Sequence, residues 1–233
     1  MKAMILAAGR GERMRPLTDV TPKPLLEVGG RALIEWHLQS LARAGFRELC
    51  INLSWLGAQI PARLGDGSRY GVSIHYSHEG PEPLETGGGI FRAMSWLGPG
   101  PFVVVNGDTW TDYDFARLPT LDEDALAALV LVANPPQHPR GDFVLARRAG
   151  GGSDVIAEPA EGVLRHTFSG IGVYRPDFFA GCSDGRFPML PLFRRASAAG
   201  RLRGQLYEGQ WHDVGTPPRL AALDERLAGG AIG

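Results

Sequence analysis

The sequence of 233 residues predicts an α/β fold with a largely parallel sheet covered by helices. Three observations lead there. Helix and strand patterns alternate through the first half of the chain, and an apolar fraction of 44% is enough for a sizeable core in one domain. The run over 101–105 is almost continuously apolar, as in a strand buried on both faces.

The elements follow in order. Residues 3–7, AMILA, read as a short buried strand, and Gly9 and Gly11 free the backbone to turn sharply just after it. Leu33, Ile34, Leu38 and Leu41 recur at helical spacing, with Gly45 placed to stop that helix. A second strand is expected over 48–53, then a short helix over 55–64 that Pro61 bends or ends. A third strand follows over 72–76, a helix over 89–97 and the fourth strand over 101–105. In the second half, 125–133 fits strand or helix by composition, and Val130-Leu131-Val132 favour strand. Further strands are expected over 143–147 and 169–174, with Gly150-Gly151-Gly152 as a flexible connection. Helices close the series over 190–199 and 217–227, the last with Thr216 as N-cap and Pro217 in its first position. No internal repeat or domain linker interrupts the chain.

Charge and composition exclude several classes of function. The formal charge of -1 leaves no global basic excess, so nucleic acid is not an expected partner and any attraction for phosphate must be local. No stretch reaches the roughly 20 apolar residues of a membrane span, and the N-terminus lacks a signal-peptide pattern. A cytoplasmic protein with no membrane partner is expected. The two cysteines, Cys50 in an apolar run and Cys182 in a Gly/Ser/Asp loop, form neither a zinc nor a disulfide pattern.

The stretch 6–18, LAAGRGERMRPLT, followed by Pro22-Lys23-Pro24-Leu25, carries the clearest chemistry. Main-chain N–H groups in a glycine turn can point at anionic oxygens; Arg13 adds a planar fork of donors and Lys23 a mobile point charge. Met14 breaks the G-x-G-x-x-G pattern, and no Gly-Lys-Ser/Thr follows to make a P-loop. Alone, the stretch also fits a tight turn with surface basic residues. Asp108, in Asn106-Gly107-Asp108, falls at the carboxyl end of the fourth strand, the edge where open α/β sheets bind ligands. There it could hold a divalent metal over phosphates or simply cap the turn. Asp213, between Trp211 and the start of the last helix, is a second candidate carboxylate; neighbouring His212 faces the other way in extended chain. Thr86-Gly87-Gly88-Gly89 fits a backbone against which a flat ligand lies, or a hinge.

Taken together, LAAGRGERMRPLT with PKPLL, ETGGG, NGD, FSGIGVY and WHDVGTP resemble the sugar-nucleotidyltransferases over nearly the whole chain. The resemblance implies a single-domain, three-layer α/β/α Rossmann-like fold with a mixed, mostly parallel sheet. It also implies Mg2+-dependent attack of a sugar 1-phosphate on a nucleoside triphosphate, releasing pyrophosphate. The strings ETGGGI, NPPQHPRGDF, FSGIGVYRP and LYEGQWHDVGTPPRL resemble the short uridylyltransferase branch of cell-wall recycling, which implies UTP and N-acetylmuramic acid 1-phosphate as substrates. Hexose 1-phosphates with another triphosphate, phosphocholine with CTP, or a non-catalytic regulatory paralogue are the alternatives.

Carried over by position, the resemblance implies a nucleotide site of Leu6, Ala7, Ala8, Gly9, Gly11, Arg13, Lys23, Thr86, Gly87 and Gly88 within about 1–110, with Arg13 and Lys23 catalytic. It implies a sugar site of Asn106, Asp108, Gly141, Glu158, Ser169 and Gly170, largely within about 111–217, and a metal held by Asp108 and Asp213. Many relatives have Glu-Lys-Pro where this chain has Ala157-Glu158-Pro159, so the lysine is missing or replaced from elsewhere, as by Arg147 or Arg165. The short length further implies a monomer without an appended β-helix domain.

Overall fold

The computed structural model describes residues 1–147, 154–157 and 162–229. The first half contains β1 (Lys2–Leu6), the small hairpin β2 (Glu27–Val28) and β3 (Arg31–Ala32), α1 (Leu33–Arg43), β4 (Glu48–Leu53), α2 (Gln59–Leu64), β5 (Ser73–His78), α3 (Glu85–Leu97) and β6 (Phe102–Asn106). There follow β7 (Thr109–Thr111), β8 (Ala127–Val132), β9 (Val144–Ala146), β10 (Asp154–Ala157), β11 (Thr167–Tyr174), α4 (Leu190–Ala198), β12 (Leu202–Tyr207), β13 (Trp211–Asp213) and α5 (Pro217–Ala228).

Nine strands form the central sheet in the order β5-β4-β1-β6-β11-β8-β12-β10-β9. The pairs β5–β4, β4–β1, β1–β6 and β8–β12 are parallel. Only β11 and β10 run against the other strands, so the expected mixed, mostly parallel sheet is borne out.

The two-residue period of the strands builds the layers. Ala3, Ile5, Val103 and Val105 turn to the face covered by Ile34, Leu38 and Leu41 of α1 and Ile60 and Leu64 of α2. Met4, Phe102 and Val104 turn to the other face, under Ile90, Ala93 and Leu97 of α3 and Leu192, Phe193 and Ala196 of α4. A third cluster, including Met14, Val28, Leu33, Trp110, Val214 and Leu223, fastens α5 and the small hairpin beside the first loop.

Local differences from expectation have physical causes. Pro61 neither bends nor ends α2; it lies in the first turn, where its missing N–H has no intrahelical partner to lose. Thr216 precedes α5, but its side chain makes no capping hydrogen bond; Pro217 and Pro218 remove two of the N–H groups that a helix start leaves without a partner. The strand β12 escapes notice in the sequence because it carries Arg203, 1% exposed, whose guanidinium is buried in a two-pronged pair with Asp122 at 2.9 and 3.0 Å. Residues 150–152, expected as a flexible connection, and Glu158 lie outside the described residues.

Cys50 and Cys182 are both free, and burial pushes the Cys50 thiol up to about 12, which leaves it inert. Among the described residues no helix is long and apolar enough to cross a membrane.

Candidate active site

The site begins where β1 runs out. A cavity of about 600 Å³ opens against Leu6, Ala7, Ala8, Gly9, Gly11, Arg13 and Lys23, with Thr86, Asn106 and Asp108 on other walls. Gly11 has φ of 62°, and a Cβ there would come within 2.9 Å of Thr18 Cγ2 and 3.2 Å of Lys23 Cβ. Only glycine fits such a turn without strain. The turn is pinned: the Thr18 hydroxyl donates to the Gly11 carbonyl at 2.9 Å, the Trp55 indole donates to the Thr18 carbonyl at 3.0 Å, and Met14 is fully buried. Among the described residues, the main-chain N–H groups of Ala8, Gly9, Arg10 and Gly11 have no partner in the protein. They form a fixed row of donors suited to anionic oxygens. Arg13 lines the same cavity, exposed and free of ion pairs among the described residues.

Lys23 is 6% exposed, and its Nζ meets Asp108 Oδ2 at 2.6 Å. A buried ammonium needs such a counter-charge. Asp108 stands in the turn after β6, where Gly107 lets the chain pass β1; a Cβ on Gly107 would lie 2.6 Å from the Leu6 carbonyl. Asp213 is brought near by the pairing of β13 with β7, which sets it opposite Thr109, while the Val214 N–H reaches the Asp108 carbonyl at 3.3 Å. Two segments more than a hundred residues apart thus meet beside the first loop. The two carboxylates keep separate cations, however: Asp213 is bonded to Arg219. Behind them His37 is buried, its Nε2 at 2.7 Å from the Thr109 carbonyl, and burial lowers its pKa to about 4.

Two residues not foreseen from the sequence stiffen the loop. Asn52 Oδ1 accepts from the Ala7 N–H at 2.7 Å, and its Nδ2 donates to Glu79 Oε1 at 2.6 Å. Glu79 Oε2 accepts from the Leu84 N–H at 2.7 Å, so this buried pair ties β1, β4 and the start of α3 together at the cavity wall. The signal was present as a lone amide within the apolar run Leu49-Cys50-Ile51-Asn52-Leu53, since a buried polar group must find partners.

Other expected residues fall elsewhere. The glycines of 87–89 lie inside α3, not before it, and are explained by packing. A Cβ on Gly87 would sit 2.5 Å from the Phe187 ring, on Gly88 2.1 Å from the Gly185 carbonyl, and on Gly89 2.3 Å from Glu79 Oε1. Gly87 and Gly88 therefore give their open side to neighbouring chain, while Thr86 faces the cavity. Asn106 and Gly170 line a smaller cavity of about 180 Å³ that continues from the first. Ser169 does not present its side chain there: its buried hydroxyl donates to the Val130 carbonyl at 2.7 Å across the irregular stretch of β11. Gly141 and Arg165 line a third cavity of about 450 Å³, and Arg147 is exposed outside all three.

Comparison with known proteins supplies the family. The model of the nucleotidyl transferase family matches residues 2–158. N-acetylmuramate alpha-1-phosphate uridylyltransferase of Neisseria meningitidis serogroup B is 52% identical, covering 98% of this chain and 99% of the relative. The protein of the same name from Caulobacter vibrioides is 34% identical, covering 97% and 96%. A Bacillus anthracis structure, described as a glucose-1-phosphate thymidylyltransferase in complex with sucrose, superposes with a TM-score of 0.80 at 22% identity, covering 97% of this chain and 95% of that one. It shares the fold. Matched by the family's model over residues 2–158 and by the Neisseria relative over nearly its whole length, the chain belongs to the nucleotidyl transferase family.

Proposed function

We propose that the chain transfers the uridylyl group of UTP to N-acetylmuramate α-1-phosphate and releases pyrophosphate. The observation that carries this reading is the Lys23–Asp108 pair, held at 2.6 Å on the wall of a cavity that is also lined by a turn of free main-chain donors. The extent of identity to the Neisseria uridylyltransferase supports the choice of substrates.

The attacking oxygen of a sugar 1-phosphate is already anionic near neutral pH, so no general base is required. His37, the imidazole packed behind Asp108, fits that economy: it is buried and neutral, and its Nε2 is engaged by a carbonyl. Catalysis then rests on alignment and charge. The N–H groups of Ala8 to Gly11 hold the triphosphate, Arg13 takes its outer phosphates, and Lys23 is the cation that contacts the α-phosphate as the sugar phosphate attacks.

The donor set fits Mg2+. Asp108 and Asp213 come from adjoining segments, and Mg2+ binds through one or two carboxylates completed by water and phosphate oxygens. Among the described residues no group of three or more acidic, histidine or cysteine side chains forms a cage of its own, so substrate oxygens are needed. Held by these two aspartates, the cation would offset charge on the phosphates.

A panel of nucleoside triphosphates against sugar 1-phosphates, read by pyrophosphate release, tests the proposal. UTP with N-acetylmuramate 1-phosphate is expected to be the best pair. Preference for a guanosine or thymidine triphosphate with a neutral hexose would overturn the substrate assignment, and silence with every pair would overturn the activity.

A further inference from the structure

We propose that Arg165 and Arg194 recognise the carboxylate of the sugar substrate and set its selection over uncharged hexosamines. This rests on the transferase reading above. N-acetylmuramate differs from N-acetylglucosamine by a lactic-acid ether, in which a hydroxyl hydrogen is replaced by a methine carbon bearing one methyl group and one carboxylate.

The three cavities stand in a row. The first shares Leu6, Thr86 and Asn106 with the middle one, and the middle one shares Phe168 and Phe193 with the third. The sugar phosphate must reach the first cavity to attack, which places the ring in the middle cavity, against the wall that Asn106 and Gly170 share. A substituent on the far side of the ring then enters the third cavity. Arg165 and Arg194 both line that cavity, and among the described residues neither guanidinium has a hydrogen bond or ion pair.

Among the described residues, the one acid on that cavity's wall is already satisfied. Asp142 lines the same cavity, but its Oδ1 meets His138 Nε2 at 2.9 Å and its Oδ2 accepts from the Phe168 N–H at 2.8 Å. The main chain of Arg165 is fixed, since its carbonyl accepts from Asn134 Nδ2 at 2.8 Å. Two planar forks without an internal partner suit a carboxylate. The remaining wall suits the methyl group: Phe143, Phe168, Phe193 and Leu190, which is 48% exposed. A lysine-like contact to the sugar phosphate is not the role of Arg165 here, because it lies at the far end of the row from Lys23.

The test compares N-acetylmuramate 1-phosphate with N-acetylglucosamine 1-phosphate, each with UTP, in wild type, Arg165→Ala, Arg194→Ala and the double variant. The double variant is expected to lose about 10²-fold or more in kcat/KM for the muramate, mainly through KM, with the glucosamine unchanged. Arg165→Glu is expected to lose more still, by placing like charge beside the carboxylate. A UTP-induced rise in melting temperature, equal in all variants, shows that the nucleotide half is intact. Equal losses for both sugars, or no loss for either, would overturn the proposal. A wild-type protein that turns over neither sugar instead removes the substrate reading on which it stands.

Discussion

Lys23 joins two demands that usually conflict, burial and charge, and the Asp108 carboxylate reconciles them. Lys23→Ala is expected to lower kcat by about 10²–10³-fold with the far-ultraviolet circular dichroism unchanged, since one contact to the developing charge is lost. Lys23→Arg is expected not to restore it, because the stem packs beside Gly11 and Thr18 and a flat fork replaces a point charge. Near-normal turnover in Lys23→Ala would remove Lys23 from the mechanism, and in Lys23→Arg it would show that any cation at this position suffices. At this scale the first loop was legible as a phosphate-binding candidate from its glycines and basic residues after an apolar strand, and the motifs further along the chain set it apart from a tight turn with surface charges. Asn52 and Glu79 were not, since a polar residue in a strand pattern reveals nothing about a partner 27 residues away. Ser169 was misplaced for a related reason: a hydroxyl beside Gly170 can turn into its own sheet, and sequence spacing does not say which way.

Between elements, the start of α3 shows how a misread boundary changes meaning. Gly87 and Gly88 suit ligand contacts only if they precede the helix; inside it, they let the segment around Gly185 and Phe187 approach, and Gly89 makes room for the Glu79 carboxylate. Gly88→Ala is expected to destabilise the fold by about 1–3 kcal/mol in urea denaturation, because its methyl group would overlap the Gly185 carbonyl. Gly9→Ala, with open space around the new carbon, is expected to stay within about 0.5 kcal/mol of wild type. The contact of α1 with β7 gives a pH dependence. His37 has a pKa of about 4 folded and an ordinary value near 6.5 unfolded, so the unfolded chain binds the extra proton between them. Stability therefore falls as pH drops from 6.5 towards 4, by a few kcal/mol in order of magnitude. His37→Gln is expected to flatten that slope in melting experiments; an unchanged slope would clear His37 of the effect.

For the molecule as a whole, a sheet covered by helices and most of its strands could be read from the sequence pattern, because the long strands of the first half alternate or are buried on both faces, while the three-layer arrangement came from the family resemblance. Strand direction could not: nothing in the pattern of β11 or β10 says that it runs against its neighbours. The meeting of β13 with β7, which brings Asp213 to Asp108, is a three-residue pairing without a periodic signature of its own. With Asp108 satisfied by Lys23 and Asp213 by Arg219, the fold does not need a metal. Chelation by EDTA is accordingly expected to abolish pyrophosphate release reversibly while leaving the melting temperature unchanged, and a large fall in melting temperature would count against this assignment.

The most direct measurement is a crystal structure with UDP-N-acetylmuramate and Mg2+ bound. The diphosphate is expected against the Ala8–Gly11 amides with Lys23 at the α-phosphate, and the cation between Asp108 and Asp213. A diphosphate lying away from that turn, or a cation touching neither aspartate, would contradict it.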